Sequence, residues 1–149
     1  MNWADRTRPL WRIGNRLEAL ELRHLGFSAT SVLSRGRVLL LETTGRQSGR
    51  RRFTPVAFWE EGSSYLVSGG AAGMSRTPDW VANLRASSDA AVWLRRKRIA
   101  MVATELSGAE RDAAREQAAA IWRGIPAYEK RSGRLVPYFR LTPDATVAS

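Results

Sequence analysis

The chain has no cysteine and a single histidine, His24, among its 149 residues. Without thiols there is no disulfide framework, no thiolate nucleophile and no cysteine-ligated zinc. His24 falls near the end of an apolar-periodic stretch, where its plainest reading is an ordinary polar residue near a helix end. No apolar run approaches the length of a membrane span, and Met1 to Arg6 is not followed by the apolar core of a secretory signal. A cytoplasmic protein is therefore the default expectation. Neither G-x-x-x-x-G-K-[ST] nor G-x-G-x-x-G occurs, so the standard phosphate-loop fingerprints are missing. No nucleophile motif or carboxylate pair stands at diagnostic spacing. Acid–base hydrolysis and metal catalysis thus have little support, and an enzyme built from these residues needs a cofactor to carry the reaction.

Acidic side chains are also scarce. Only 14 Asp and Glu stand against 24 Lys and Arg, a net charge of +10 that implies an anionic partner: nucleic acid, an acidic membrane surface or an acidic small molecule. No RNP-like aromatic motif or helix-turn-helix signature is present, so nucleic acid is not the expected partner. A hydrophobic content of 44% in a chain of this length allows a core of one domain, residues 1–149. Within it, 1–36 reads as an N-terminal helix and linker, and 37–142 as the body of the fold.

The segment on which the rest is organised runs from Thr43 through Gly45-Arg46-Gln47-Ser48-Gly49-Arg50-Arg51-Arg52 to Pro55. It joins the apolar run Val38-Leu39-Leu40-Leu41 to a second one, Val56-Ala57-Phe58-Trp59, and so reads as the turn between paired strands. Gly45 and Gly49 allow positive φ and a close backbone approach, while four arginines add planar forks that match phosphate or carboxylate oxygens. An anion cradle is one reading. A solvated, charged hairpin tip is the other.

The pattern L-L-x-T-T-G-R-x-S-G-x-x-R-x-x-P is followed in order by Ser68-Gly69-Gly70 and by Pro78-Asp79-Trp80-Val81-Ala82-Asn83-Leu84. These three blocks, spread between about Arg37 and Leu141, resemble the deazaflavin-dependent nitroreductase family, whose members use reduced coenzyme F-420. The resemblance implies a split β-barrel, also seen in flavin-binding oxidases of pyridoxamine phosphate, and an oxidoreductase that passes a hydride to a small-molecule acceptor. A quinone, an enone or other activated alkene, and a nitro-aromatic are the acceptors it implies. Matched position by position, Arg46, Gln47, Ser48 and Arg52 would surround the cofactor's phosphate and tail. Ser68, Gly69 and Gly70 would lie along the ring or its linker, with Pro55, Trp80 and Asn83 completing the pocket. Gln47 stands where the family commonly has lysine. The acceptor-side positions read Trp122, Ile125 and Tyr128, of which Tyr128 keeps a phenol able to donate a proton; for Trp122 and Tyr128 a packing role is an equal alternative. Flavin mononucleotide, whose phosphate could use the same loop, is the less favoured cofactor.

The remaining pattern is α+β. Strands are expected near 37–44, 51–60, 63–69, 90–95, 98–105 and 135–141, forming about six mostly antiparallel strands with flanking helices. In the second strand alternation puts Arg52, Thr54, Val56 and Phe58 on one face and Phe53, Pro55, Ala57 and Trp59 on the other. Pro55 lacks a ladder donor and marks an edge or a bulge. Thr77-Pro78-Asp79 reads as a helix start with Thr77 as N-cap, and Ser107 to Glu110 as a capping box opening a helix to about Trp122. Residues 8–24 form an amphipathic, arginine-bearing helix (Leu10, Ile13, Leu17, Leu20). It packs on its own domain or makes peripheral contact with an anionic membrane surface. Two other classes stay open: a non-catalytic carrier of flavin, deazaflavin or a heme-type ligand, and a basic binder of anionic membrane or nucleic acid. The assembly expected is a monomer or a homodimer.

Overall fold

The computed structural model describes residues 37–70, 77–122 and 135–147, together with Arg16, Leu20, Arg23, Glu129, Lys130 and Gly133. Six strands appear: β1 (Val38–Thr44), β2 (Arg51–Glu61), β3 (Ser64–Ser68), β4 (Asp89–Leu94), β5 (Lys97–Glu105) and β6 (Tyr138–Pro143). They close into a barrel in the order β1-β2-β3-β6-β5-β4, every pair antiparallel. The expected α+β split barrel is the fold the chain adopts. Closure suits this sequence because a barrel buries one side-chain set of each strand inside and leaves the alternate set to be covered from outside.

Leu39, Leu41, Val56, Phe58, Val67, Val92, Met101, Phe139 and Leu141 fill the interior. Helix α1 (Asp79–Ala86) plugs the end of the barrel at which β1 gives way to β2. It sends Trp80, Val81 and Leu84 into the same cluster, with the Trp80 ring edge-on to Phe139 at 5.6 Å. Helix α2 (Gly108–Ile121) lies outside, its small residues Ala114 and Ala118 packed against Trp59, Leu66, Val136 and Tyr138. A third apolar patch joins Val38, Leu40, Phe53 and Trp93 on the outer face, and the Arg23 guanidinium stacks over the last two rings at 5.1 and 5.5 Å. The expectation of a helix over 8–24 lies otherwise outside the described residues; Arg16, Leu20 and Arg23 have helical backbone.

Two helix starts differ from the sequence reading. Pro78, not Thr77, occupies the N-cap of α1 and Asp79 is its first residue. Ser107 is the N-cap of α2 but its side chain makes no capping bond, and Gly108 enters the helix at φ +57°. The last strand also begins later than Leu135, because Pro137 has no N–H to give a ladder.

The barrel is open along half of one strand. β2 pairs with β1 from Arg51 to Ala57, but with β3 only from Phe58 to Glu61. The Phe58 N–H bonds the Arg37 carbonyl on the β1 side at 3.1 Å. Backbone groups alternate sides along a strand, so those of Phe53 and Pro55 point toward the unladdered side. Pro55 thus lacks its donor where no neighbouring strand asks for one, which is the local edge the sequence suggested.

Candidate functional site

The loop between β1 and β2 is a tight turn. Gly45 N–H donates to the Arg50 carbonyl at 2.7 Å, and Gly49 N–H to the Gly45 carbonyl at 2.8 Å. Gly49 takes φ +69°, a conformation that favours glycine. Gly45 is required for space: a Cβ there would lie 2.7 Å from Ser48 Oγ and 3.2 Å from the Arg50 carbonyl. Ser48 Oγ in turn accepts the Arg50 N–H at 3.2 Å and stands 3.5 Å from Arg52 Nη2.

Asn83 of α1 fixes this loop to the barrel. Its Oδ1 accepts both the Arg46 backbone N–H and Arg46 Nη1, each at 3.1 Å, and its Nδ2 donates to Thr43 Oγ1 at 3.2 Å. Asn83 and Thr43 are both buried. A buried amide satisfied at both ends is costly to disturb, so the Arg46 guanidinium is held over the first turn of α1. There its Nη1 also reaches the Asp79 carbonyl at 3.5 Å, and its Nη2 lies 3.7 Å from Asp79 Oδ1. The amide of Asn83 is therefore spent on the protein frame.

The arginines divide by face. Arg51 turns outward, where its Nη1 lies 3.3 Å from Glu42 Oε1, a carboxylate already bonded by Arg98 and by Trp93 Nε1. Burial pushes the Glu42 carboxyl up, but the bonds from Arg98 and Trp93 and the charges of Arg98 and Arg51 outweigh it and hold the pKa below its ordinary value. Arg51 is thereby engaged away from the loop. Arg46, Arg50 and Arg52 remain there, with Gln47 exposed at the tip.

The second block meets the same helix. Gly69 N–H donates to the Pro137 carbonyl at 2.8 Å, and a Cβ at Gly69 would lie 2.6 Å from Pro137 Cγ and 3.0 Å from Val81 Cγ2. Helix α1 thus ties both glycine blocks together, through Asn83 to one and Val81 to the other. Ser68 faces Tyr138 across the β3–β6 ladder. The Tyr138 hydroxyl is buried without a hydrogen bond of full geometry among the described residues, and Ser68 offers only a weak polar contact. Burial and then the Glu129 carboxylate raise its pKa, with Arg111 and Arg115 opposing, so the phenol stays neutral.

Of the site residues expected from the sequence, Arg46, Ser48, Arg52 and Asn83 come together at the loop, with Gln47 beside them, and Ser68, Gly69 and Gly70 at the end of β3. Pro55 lies on the open half of β2. Trp80 is buried in the barrel interior against Phe139. Trp122 caps α2 and stands edge-on to Trp59 at 5.9 Å, and Trp59 meets Tyr138 at 6.2 Å. Tyr128 lies outside the described residues. Sequence reasoning missed Thr43, Glu42, Pro137 and Tyr138 as parts of this framework. Glu42 carried one signal, a lone acid within a run of apolar strand residues. Among the described residues no group of His, Cys, Asp and Glu could hold a metal ion, and no helix is long and apolar enough to cross a membrane.

Residues 15–143 match the family model described as F420H(2)-dependent quinone reductase. An F420H(2)-dependent quinone reductase of Mycobacterium tuberculosis is 29% identical over 112 residues, 70% of this chain and 72% of the relative. The solved structure of an F420-H2 dependent reductase, FDR-A, is 28% identical with a TM-score of 0.64, covering 70% of this chain and 93% of the other. A second solved chain, described as a domain-swapped dimer, is 26% identical with a TM-score of 0.64, covering 75% and 92%.

Proposed function

Because the chain belongs to the F420H(2)-dependent quinone reductase family, and is a reductase using the deazaflavin coenzyme F-420, we propose that its loop at 45–52 binds the anionic part of the coenzyme and that a planar organic molecule accepts the hydride. Quinones head the proposed acceptors, followed by enones and nitro-aromatics. The single observation that carries this reading is the Thr43–Asn83–Arg46 lock, which presents a cation beside the tight glycine turn.

The residues present fit the group. The coenzyme bears a phosphodiester, a lactate carboxylate and a γ-linked glutamate tail. Arg46, Arg50 and Arg52 supply three guanidinium forks for such oxygens, and Ser48 adds a hydroxyl. Gly70, half-buried and without a side chain, leaves backbone beside the open half of β2 against which a flat ring can lie, while Gly69 lets Pro137 and Val81 close in behind it. When bound in its reduced form, the coenzyme supplies a hydride from its C5 position. This chain's own part is to hold the anionic end, to orient the ring along Ser68 to Gly70, and to wall the acceptor with Trp122. Neutral Tyr138 beneath Ser68 adds a polar contact that keeps its proton. Tyr128 or solvent provides the proton to the acceptor.

A homodimer is the proposed assembly, supported by the dimeric description of one similar solved chain. Residence in the cytoplasm, with the arginine-bearing residues 8–24 touching an anionic membrane surface, belongs to the same reading and is supported by the +10 charge.

Fluorescence titration with oxidised coenzyme F-420, run against flavin mononucleotide, tests the reading. Saturable, selective deazaflavin binding is expected, followed by turnover of quinones with the reduced form. Preference for flavin mononucleotide, or binding without turnover of any acceptor, would favour the carrier alternative.

A further inference from the structure

We propose that Asp79 is a resident counter-ion of Arg46 that the cofactor's anionic group must displace, so that its carboxylate holds cofactor affinity below what the Arg46 site could reach. The inference rests on the reading that the loop at 45–52 binds that anion.

The geometry separates what positions Arg46 from what neutralises it. Asn83 Oδ1 grips both the backbone N–H and Nη1 of Arg46 at 3.1 Å, and the Asp79 main-chain carbonyl adds a longer contact at 3.5 Å. None of these three contacts uses the Asp79 carboxylate. That carboxylate reaches Nη2 only at 3.7 Å, and the two side chains are 38% and 57% exposed, which is the signature of a weak, solvent-screened pair. Loss of the carboxylate therefore leaves Arg46 where it is.

The field at this point favours an anion. Arg46 is pinned beside the first turn of an eight-residue helix, whose dipole end repels a cation. A guanidinium kept at a positive helix end, by a buried amide rather than by its own counter-charge, makes a pole that attracts negative oxygens. Asp79, the first residue of α1, supplies one from within the chain. A phosphate or carboxylate of the cofactor approaching Nη2 meets that carboxylate, and either pushes it aside or is repelled by it.

The effect follows from charge at short range. An exposed, solvent-screened charge interaction of this kind is worth up to roughly 1 kcal/mol, which is about a five-fold change in affinity. Asp79→Asn is expected to lower the dissociation constant for oxidised coenzyme F-420 about three- to ten-fold at low ionic strength. The advantage should shrink in high salt, because the repulsion is screened. Asn83→Ala is expected to act in the opposite direction, since it releases Arg46 while leaving Asp79 in place.

The experiment is a fluorescence titration of wild type, Asp79→Asn and Asn83→Ala with oxidised coenzyme F-420 at low and high salt, beside their thermal midpoints. Opposite changes in affinity for the two variants support the proposal, because a purely structural role would weaken binding in both. Equal or weaker binding by a folded Asp79→Asn protein overturns it. Should Asp79→Asn not fold, Asp79→Ser removes the same charge with a residue that tolerates a helix start, and the same outcomes apply. Wild-type protein that binds no deazaflavin overturns both this inference and the cofactor reading; wild-type binding with an unchanged Asp79→Asn affinity overturns this inference alone.

Discussion

Arg98 grips Glu42 at two points, Nε to Oε2 at 3.0 Å and Nη2 to Oε1 at 2.9 Å, across 56 residues of sequence. The carboxylate is only 5% exposed, while Arg98 is 37% exposed. Removing the cation strands a buried charge, whereas removing the acid frees a partly solvated one. Arg98→Ala is expected to destabilise by about 2 kcal/mol, below the 3–5 kcal/mol of a fully buried pair because Trp93 and Arg51 remain and solvent reaches the gap. A fall in thermal midpoint of roughly 4–8 °C would register it. Adding Glu42→Gln to Arg98→Ala should restore part of the loss.

The same carboxylate makes stability depend on acid. Its folded pKa lies below the ordinary glutamate value despite burial, because Arg98, Trp93 and Arg51 favour the charged form. A depressed carboxyl binds its proton less readily in the folded than in the unfolded chain. Its contribution is therefore complete above the unfolded value and is lost as pH falls through the lower, folded value. The gap in thermal midpoint between wild type and Glu42→Gln should narrow from about pH 6 to about pH 3. A gap that stays constant would show that Glu42 does not titrate as argued.

Gly69 and Gly70 are adjacent but differ in what they tolerate. Gly69→Ala puts a methyl 2.6 Å from Pro137 Cγ, while the nearest atom to a Cβ at Gly70 is Ser68 Oγ at 3.6 Å. Overpacking of this kind costs about 1–3 kcal/mol. Gly69→Ala should lower the urea midpoint, and Gly70→Ala should leave it near wild type.

Arg52 bonds only Ser48 Oγ, at 3.5 Å, among the described residues. Arg52→Ala should accordingly keep wild-type stability yet weaken coenzyme F-420 binding by about ten- to a hundred-fold, the worth of one charge-assisted contact. Wild-type affinity in that variant would move the phosphate site elsewhere.

Trp122 stands against Trp59, whose indole N–H bonds Gln117 Oε1 at 2.9 Å. If Trp122 walls the acceptor, Trp122→Ala should lower kcat/KM for the quinone while leaving coenzyme affinity unchanged, and Trp122→Phe should recover most of it. An equal loss of coenzyme affinity would assign Trp122 to packing alone.

The strands were legible from apolar runs bounded by turn residues, as in β1, and from alternation, as in β2. Val56 and Phe58 face the interior and Phe53 and Trp59 the exterior, as period two requires. Pro55 announced an edge, and β2 has one along its first half. The helix starts were read less well: Thr77 and Ser107 have the chemistry of caps but make no capping bond, since propensity at a terminus is a weak preference that the neighbouring Pro78 and Gly108 override. Tyr138 could not be recognised as buried polar, because nothing local tells that α2 covers it.

The residues alone determined a basic chain with no thiol and one histidine, a run of alternating strands, and a glycine–arginine turn between two of them. Those are properties of composition and of backbone geometry over a few residues. Which arginine serves the loop was decided only when the barrel closed. Thr43 and Asn83 lie 40 residues apart and Arg46 and Asn83 37 apart, yet they share one buried amide. Arg51, five residues from Arg46, is drawn to Glu42 on the outer face instead. Strand register and the docking of α1 set these pairings. Both arise from burying the whole apolar core at once, and no window of sequence contains that energy.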